Sequence, residues 1–264
     1  MTDADFARLV SRVLGERTPR VWSLLVTMFG DLALAPKARL SGATVNAITA
    51  AIGIKPEATR VALHRLRKED WIESHRNGRQ TRYGLTRHGR DQTNTASPRV
   101  YGPAPSGLTA YLVLENPAAP SDRPADEDVG ATVQIGPKVV VTTATAMPDH
   151  SLRVALNAEM DVPGWLGDKL CPPEIQSASR DLAKRLNVVL DIPNLEGLSL
   201  LHHTALRVIV VHEWRRMILR TPEFPEDMLP AQWRGAECRA AFQTILTRLP
   251  VPNLDALEEA ITTG

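Results

Sequence analysis

Basic side chains line one face of a helix predicted over residues 56–70, and their chemistry suits nucleic acid. They are Arg60, His64, Arg67 and Lys68. Guanidinium groups hydrogen-bond guanine edges in pairs, and both arginine and lysine neutralise phosphates. The opposite face of the helix is apolar and predicts the buried side. It consists of Ala58, Val61, Ala62, Leu66 and, at its edge, Leu63. The alternative interpretation is a solvated basic face without a ligand.

Residues 44–86 surround this helix with the parts of a winged helix-turn-helix. A short helix precedes it, and Gly53 supplies a tight turn between the two helices. Two strand patterns follow, joined at Asn77-Gly78, a dipeptide favoured in hairpins. Their apolar residues are Trp71, Ile72, Tyr83 and Leu85. Such a unit places its second helix in the DNA major groove.

The predicted DNA contacts divide by their position in this unit. On the helix, base contacts are assigned to Arg60, His64 and Arg67, and Thr59 is assigned to a base or a phosphate. Phosphate contacts, which position a protein without specifying sequence, are assigned to Lys55 and Lys68. The hairpin contacts are predicted at Arg76, Asn77, Arg79 and Arg82. Arg65 is predicted to brace the unit through a salt bridge.

The charge of the chain is distributed unevenly. Its 264 residues are 43% hydrophobic and 23% charged, which suits a protein with a substantial core, and the formal net charge is +1. Residues 1–95 hold 16 basic and 9 acidic side chains, a net charge of +7, whereas the remainder holds 15 and 21, a net charge of −6. This asymmetry predicts a DNA-binding head on a body that need not touch nucleic acid.

Cysteine usage and the N-terminal sequence predict the compartment. Two cysteines, Cys171 and Cys238, are too few for a disulfide framework or a cysteine-based zinc site and suit a reducing environment. The first residues, MTDADFARLV, lack the layout of a signal peptide. No apolar run approaches the roughly 18 residues that span a membrane. We therefore expect a cytoplasmic protein that does not bind membranes.

Histidines in the C-terminal third have the chemistry of metal ligands but not the spacing. His203 and His212 are nine residues apart and His202 and His203 are adjacent, whereas helical ligand pairs need a spacing of about three or four. Cys171 has no signature that ties it to a histidine base. No phosphate-binding glycine loop or nucleophile elbow occurs either. We expect no catalytic residue, no metal and no cofactor, and hence a protein that is not an enzyme.

A cationic pair near aromatic residues could hold a carboxylate, a phosphate or a nucleotide. The residues of this candidate effector site are His212, Trp214, Arg215, Arg216 and Trp233. In the alternative interpretation, both tryptophans anchor the core and the arginines pair with acidic residues. The predicted partners are then Glu223, Glu226 and Asp227.

The middle of the chain differs in character from its end. A linker rich in proline and glycine is predicted over residues 98–106. Short strands are predicted over residues 108–114, 131–135, 138–144 and, with a short helix as the alternative, 152–160, which together indicate a small α+β domain. From residue 172 onward the periodicity is helical. Helices are predicted over residues 175–190, 198–219 and 236–249, and a last short helix holds Leu254, Leu257 and Ile261.

Two segments resemble the PaaX-like family of regulators, which is named for the repressor of phenylacetic acid degradation genes. The first segment contains LLVTMFGD, TRVALHRLRKEDWIES and GRQTRYGLTRHGR, and the second is HEWRRMILRTPEFPEDMLPAQWRGAECRAAF. The resemblance implies a ferredoxin-like domain between a winged helix and a C-terminal helical domain. It also implies an acyl-CoA effector such as phenylacetyl-CoA.

These observations predict an α+β protein with a winged helix-turn-helix domain at residues 1–97, a ferredoxin-like domain at 98–170 and a helical domain at 171–264. We expect a transcriptional repressor of catabolic genes that an acyl-CoA or aromatic acid releases from DNA. A homodimer on a palindromic operator is expected because one recognition helix reads only a few base pairs. The alternative is a small-molecule-binding protein or enzyme that uses the C-terminal helices, with the winged helix as a scaffold. No residue separates a repressor from an activator.

Overall fold

The computed structural model describes residues 1–15, 18–77, 80–118, 130–145, 151–156, 160 and 162–263. It combines helices with antiparallel sheets, so the predicted α+β class is confirmed. The chain forms two compact units. The first comprises Met1–Gly102, Asp181–Ile218 and Ala236–Gly264, and the second comprises Pro103–Arg180 and Leu219–Gly235.

The elements are numbered in chain order. The helices are α1 (Asp3–Leu14), α2 (Val21–Leu32), α3 (Gly42–Ala51), α4 (Pro56–Lys68), α5 (Arg87–Tyr101), α6 (Gly164–Leu170), α7 (Pro173–Leu190), α8 (Leu200–Ile218), α9 (Gly235–Arg248) and α10 (Leu254–Thr263). The strands are β1 (Leu40–Ser41), β2 (Ile72–Asn77), β3 (Gln80–Leu85), β4 (Ala110–Leu114), β5 (Thr132–Gly136), β6 (Val139–Thr142) and β7 (Leu152–Leu156). Within the described ranges, none of the helices has the length and apolar character needed to cross a membrane.

Helix α8 lies at the centre of the first unit, and most of its side chains are buried, as expected for a helix surrounded by others. Its side chains Leu206, Val208, Ile209, Val210, Val211 and Trp214 are exposed by at most 1%. Helices α1, α2, α3, α5 and α10 pack around it. The apolar helix predicted over residues 198–219 is therefore confirmed, with Leu200–Ile218 as its bounds.

A buried ion pair joins α8 to α2. The Nε and Nη2 atoms of Arg207 each lie 2.7 Å from a carboxylate oxygen of Asp31. The third nitrogen, Nη1, donates to the carbonyl oxygen of Leu249 at 2.6 Å, and the hydroxyl of Tyr101 donates to Asp31 Oδ1 at 2.9 Å. The arginine and aspartate side chains are only 6% and 2% exposed. Both charges are thus matched within the core of the unit.

Helix α5 extends into the predicted linker over residues 98–106, which is a correction. The helix includes Pro98 and continues through Tyr101. Val100 is 2% exposed, and its carbonyl oxygen accepts a hydrogen bond from the indole of Trp214 at 2.8 Å. Tertiary packing therefore outweighs the local effect of a proline, whose missing N–H normally weakens a helix interior.

Two helices, a tight turn and a hairpin follow one another in the order predicted for residues 44–86. Between α3 and α4, Gly53 has a φ of 86°, a left-handed conformation that favours glycine. The three-stranded antiparallel sheet has the order β1-β3-β2, and Asn77 pairs with Gln80 across the hairpin. Helix α4 packs against α2 and α3.

Helix α4 buries a face different from the predicted one. Its buried residues are Thr59, Ala62, Leu63 and Leu66. Val61, predicted on the buried side, is instead 69% exposed, and Ala58 is half-buried. The physical reason lies at Thr59, whose hydroxyl donates to Thr49 Oγ1 on α3 at 3.0 Å.

The second unit is built on a four-stranded antiparallel sheet of order β5-β6-β4-β7. Strand β4 therefore lies between β6 and β7, and β5 forms one edge. The strands predicted over residues 108–114, 131–135 and 138–144 are confirmed to within about two residues at each end. The strand predicted over 152–160 is confirmed for Leu152–Leu156, and residues 157–159 lie outside the described ranges.

The compact units do not follow the order of the three predicted domains. Helix α8, which belongs to the segment predicted as a separate C-terminal domain, packs against α2, and α10 packs against α3. All four helices are part of the first unit. The division at residues 1–97, 98–170 and 171–264 remains a prediction about sequence segments.

Candidate nucleic-acid interface

The solvent-facing side of α4 carries basic groups. Arg60, His64, Arg67 and Lys68 are exposed, and so is Lys55 at the N-cap position. Among the described residues, the guanidinium groups of Arg60 and Arg67 have no hydrogen-bond or ion-pair partner. Unpaired guanidinium groups on an exposed helix are available to phosphates and base edges.

The buried residues of α4 define which side chains point most directly away from the protein. At about 100° per residue, the side chains within about 30° of the outward direction are Glu57, Val61, His64 and Lys68. Arg60 and Arg67 lie together on one flank, about 70–90° from that direction. The outward row is therefore mixed in chemistry, and the two unpaired arginines border it.

Arg65 lies on the opposite flank of α4 and is already engaged. Its Nε donates to Glu69 Oε1 at 2.7 Å, and its guanidinium carbon lies 5.7 Å from the ring centroid of Trp22 on α2. The predicted salt bridge of Arg65 is confirmed.

Thr59 does not reach solvent, and its predicted DNA contact is wrong. The side chain is 0% exposed, and its hydroxyl is hydrogen-bonded to Thr49. Because a buried and hydrogen-bonded side chain cannot reach DNA in this conformation, Thr59 serves to hold α4 against α3.

The hairpin presents one free arginine and one paired arginine among its described side chains. Arg76 is exposed. Arg82 is 33% exposed, and its Nη2 lies 2.5 Å from Glu258 Oε2 on α10. The other oxygen of Glu258 accepts a hydrogen bond from the backbone N–H of Ser41 at 2.9 Å. Arg82 therefore ties the hairpin to α10, which corrects its prediction as a free DNA contact.

Two of the predicted hairpin contacts cannot be placed among the described side chains. The side chain of Asn77 and the whole of Arg79 lie outside the described residues.

Two predicted effector residues, His212 and Trp214, belong to the core. They are 2% and 0% exposed, and Trp214 stacks on Phe242 with ring centroids 5.5 Å apart. The Nδ1 atom of His212 lies 3.3 Å from the hydroxyl of Thr27, and burial lowers the pKa of His212 to about 4. Their predicted contact with an effector is wrong for this conformation, and Trp214 is the core anchor of the alternative interpretation.

The remaining predicted effector residues differ in their surroundings. Arg216 donates to Glu213 Oε2 at 3.1 Å, so its partner was not among the predicted acidic residues. Arg215 lines a cleft of about 20 Å³, which has room for about one water and not for a CoA thioester. Trp233 is half-buried and belongs to the second unit.

The second unit has a wider cleft with an acidic lining. It encloses about 560 Å³, a size within the range of ligand pockets. Its polar lining includes Asp168, Gln176, Asp227 and Gln232. Carboxylates at the cleft disfavour the phosphates of coenzyme A by like-charge repulsion.

The histidines at the start of α8 have structural surroundings. The ring of His202 stacks on Phe6 with centroids 4.0 Å apart, and burial lowers the pKa values of His202 and His203. Across the described ranges, no group of three or more His, Cys, Asp or Glu side chains is placed to hold a metal ion.

Both cysteine thiols are shielded from solvent. Cys171 and Cys238 are 0% exposed, and burial raises their pKa values to about 11 and about 12. Because the thiolate is the nucleophile, we expect neither thiol to react with dithionitrobenzoate in the folded protein at neutral pH. Both should react after unfolding in guanidinium chloride. Rapid release of the coloured thiol product from the native protein would contradict the burial of these two thiols.

The chain matches known proteins in the segments that contain α4 and α8. The family model described as PaaX-like protein matches residues 20–89, and the one described as PaaX-like protein C-terminal domain matches residues 180–256. A curated relative, "Transcriptional repressor PaaX" of Escherichia coli (strain K12), is 25% identical over an alignment 257 residues long. The match covers 86% of this chain and 79% of that protein. With both family models matched in order and a relative aligned along most of its length, the chain belongs to the PaaX-like family.

Proposed function

We propose that this protein is a sequence-specific, double-stranded-DNA-binding transcriptional regulator, and in particular a repressor. The observation that carries the proposal is the exposed face of α4, where Arg60 and Arg67 have no partner within the described ranges. This face follows a helix and a tight turn and precedes a hairpin, the arrangement that lets a second helix enter the major groove. Membership of a family whose curated member is named a transcriptional repressor supports the same role. The proposed role is not enzymatic.

In this proposal α3, α4 and the β2–β3 hairpin form a winged helix-turn-helix. The second unit is proposed to be ferredoxin-like, and its strand order supports that assignment. Its first strand, β4, lies between the third and fourth strands, and the second strand is at the edge, as in a β-α-β-β-α-β arrangement. The helices within residues 171–264 form the proposed C-terminal helical domain.

The proposed contacts on DNA keep most of the predicted residues. Arg60, His64 and Arg67 are proposed to enter the groove, and Lys55 and Lys68 to meet phosphates. Arg76, Asn77 and Arg79 are the proposed contacts of the wing. A homodimer on a palindromic operator fits a recognition helix that spans only a few base pairs.

An acyl-CoA or aromatic-acid effector is proposed to release the protein from DNA at catabolic genes. Support for this part comes from the family, because the name PaaX belongs to a repressor that matches most of this chain. His212 and Trp214 are not among the proposed contacts because both are buried. If no CoA thioester changes the melting temperature or the DNA affinity, this part of the proposal fails.

The proposal is tested by binding the purified full chain to DNA from upstream of its own gene. We expect selective binding. The logarithm of the association constant should fall linearly with the logarithm of the salt concentration, as phosphate contacts require. Random DNA of the same length is the control. Equal and weak binding to both DNAs across the salt series would overturn the proposal.

A further inference from the structure

An exposed apolar side chain stands in the outward row of α4. Val61 is apolar and 69% exposed, and several of its exposed neighbours on α4 are basic. A valine contributes little there to the isolated protein, since its helix propensity is lower than that of alanine or lysine. Single exposed apolar residues are normal on protein surfaces, so exposure alone assigns no role. The position of Val61 is the informative feature.

Two aspects of that position point toward the floor of a groove. Val61 lies within about 30° of the outward direction of α4, closer to it than Arg60 or Arg67. It also lies in the first half of Pro56–Lys68, and the N-terminal residues of a recognition helix are those that meet base edges. A side chain placed centrally on such a helix faces the bases most directly, whereas a long side chain on the flank can reach either a base edge or the phosphate backbone.

The chemistry of valine then selects one base. In the major groove, the apolar group that a standard base pair presents is the C5-methyl group of thymine. A β-branched side chain in a helix has one strongly preferred rotamer. The methyl groups of Val61 are therefore held in one direction before DNA arrives, and the contact loses little side-chain freedom.

We infer that Val61 is a specificity-determining residue of the α4 interface, and that its methyl groups pack against the C5-methyl group of a thymine. This inference rests on the proposed DNA-binding function. It assigns sequence discrimination to an apolar contact in addition to the predicted arginine contacts.

The test combines a protein variant with the removal of one methyl group from the DNA. A duplex is first selected from a random library with the wild-type chain, and each thymine in it is then replaced in turn by deoxyuridine, which pairs identically but lacks the methyl group. Removing one buried methyl group is expected to weaken wild-type binding by about fourfold at one thymine per half-site. The Val61→Ala variant should lose less than about twofold at that same thymine.

A matched control is Val251→Ala, which shortens another exposed valine, one that is 50% exposed and lies outside α4. It should retain the wild-type response to deoxyuridine, and both variants should keep the melting temperature because surface changes perturb stability little. Equal responses of the wild type and Val61→Ala at every thymine, or a selected site without a coupled thymine, would overturn the inference. Failure to select any sequence with the wild type would instead overturn the proposed function.

Discussion

Replacing Asp31 by alanine is expected to destabilise the folded protein by about 3–5 kcal/mol. The substitution leaves Arg207 only 6% exposed with an unmatched charge, while the hydroxyl of Tyr101 loses its acceptor. Removing one partner of a buried pair costs more than the pair itself contributes, because the remaining charge stays desolvated. Urea unfolding followed by circular dichroism should show a lower midpoint with an unchanged slope.

Two further variants separate this effect from a general loss of charge. Asp91→Ala removes an exposed carboxylate on α5 and should change the stability by less than about 0.5 kcal/mol. The double variant Asp31→Ala/Arg207→Met removes both charges and should be more stable than Asp31→Ala alone. If Asp31→Ala unfolds at the wild-type urea concentration, the buried pair does not stabilise α2 against α8.

Local patterns in the sequence predict the elements of the interface but not the orientation of α4. Periodicity places a helix over residues 56–70, and the structure has Pro56–Lys68. Helical periodicity allows either of two overlapping faces of α4 to be buried, and the face that includes Val61 has the more hydrophobic residues. The protein instead buries the face that includes Thr59, because the hydroxyl of Thr59 donates a hydrogen bond to the hydroxyl of Thr49. That partner lies on another helix, so helical periodicity cannot reveal it.

The association of distant segments was equally hidden from the sequence patterns. Arg207 meets Asp31, and Glu258 meets Arg82, in both cases across 176 residues of chain. Nothing local distinguishes these arginines from the solvated arginines near them. The apolar character of α8 was visible in the sequence, but periodicity does not specify which helices surround it. The sequence therefore predicts a buried helix without predicting that the N-terminal helices cover it.

The same limit affects the predicted site residues. Residue type alone suggested Arg82 as a DNA contact and Trp214 as an effector contact. Glu258 engages the first, and the core around Phe242 encloses the second. Arg60 and Arg67, which have no partner among the described residues, lie where helical periodicity predicts the exposed face. The exposure of Arg60 and Arg67 was predictable from helical periodicity, whereas their contact with DNA stays a prediction.

Replacing both Arg60 and Arg67 by alanine should have the largest effect on DNA affinity. Each contact is worth about 1–3 kcal/mol if the guanidinium reaches a base edge, which corresponds to a loss of about 5- to 150-fold per residue. Both residues are exposed and unpaired among the described residues, so neither substitution leaves a buried group without a partner. Fluorescence anisotropy with a labelled duplex, titrated at several salt concentrations, measures the affinity and its salt dependence together.

The salt dependence decides what these arginines touch. Loss of a phosphate contact weakens binding to all sequences and lowers the salt slope by about one per residue, whereas loss of a base contact reduces selectivity at one position. Their place on the flank of α4, about 70–90° from the outward direction, favours a phosphate component for both. Arg8→Ala, which removes an exposed arginine from α1, is the matched control and should leave affinity and slope unchanged. If the double variant binds like this control, α4 is not the DNA-binding helix, and the assignment of Val61 to a thymine fails with it.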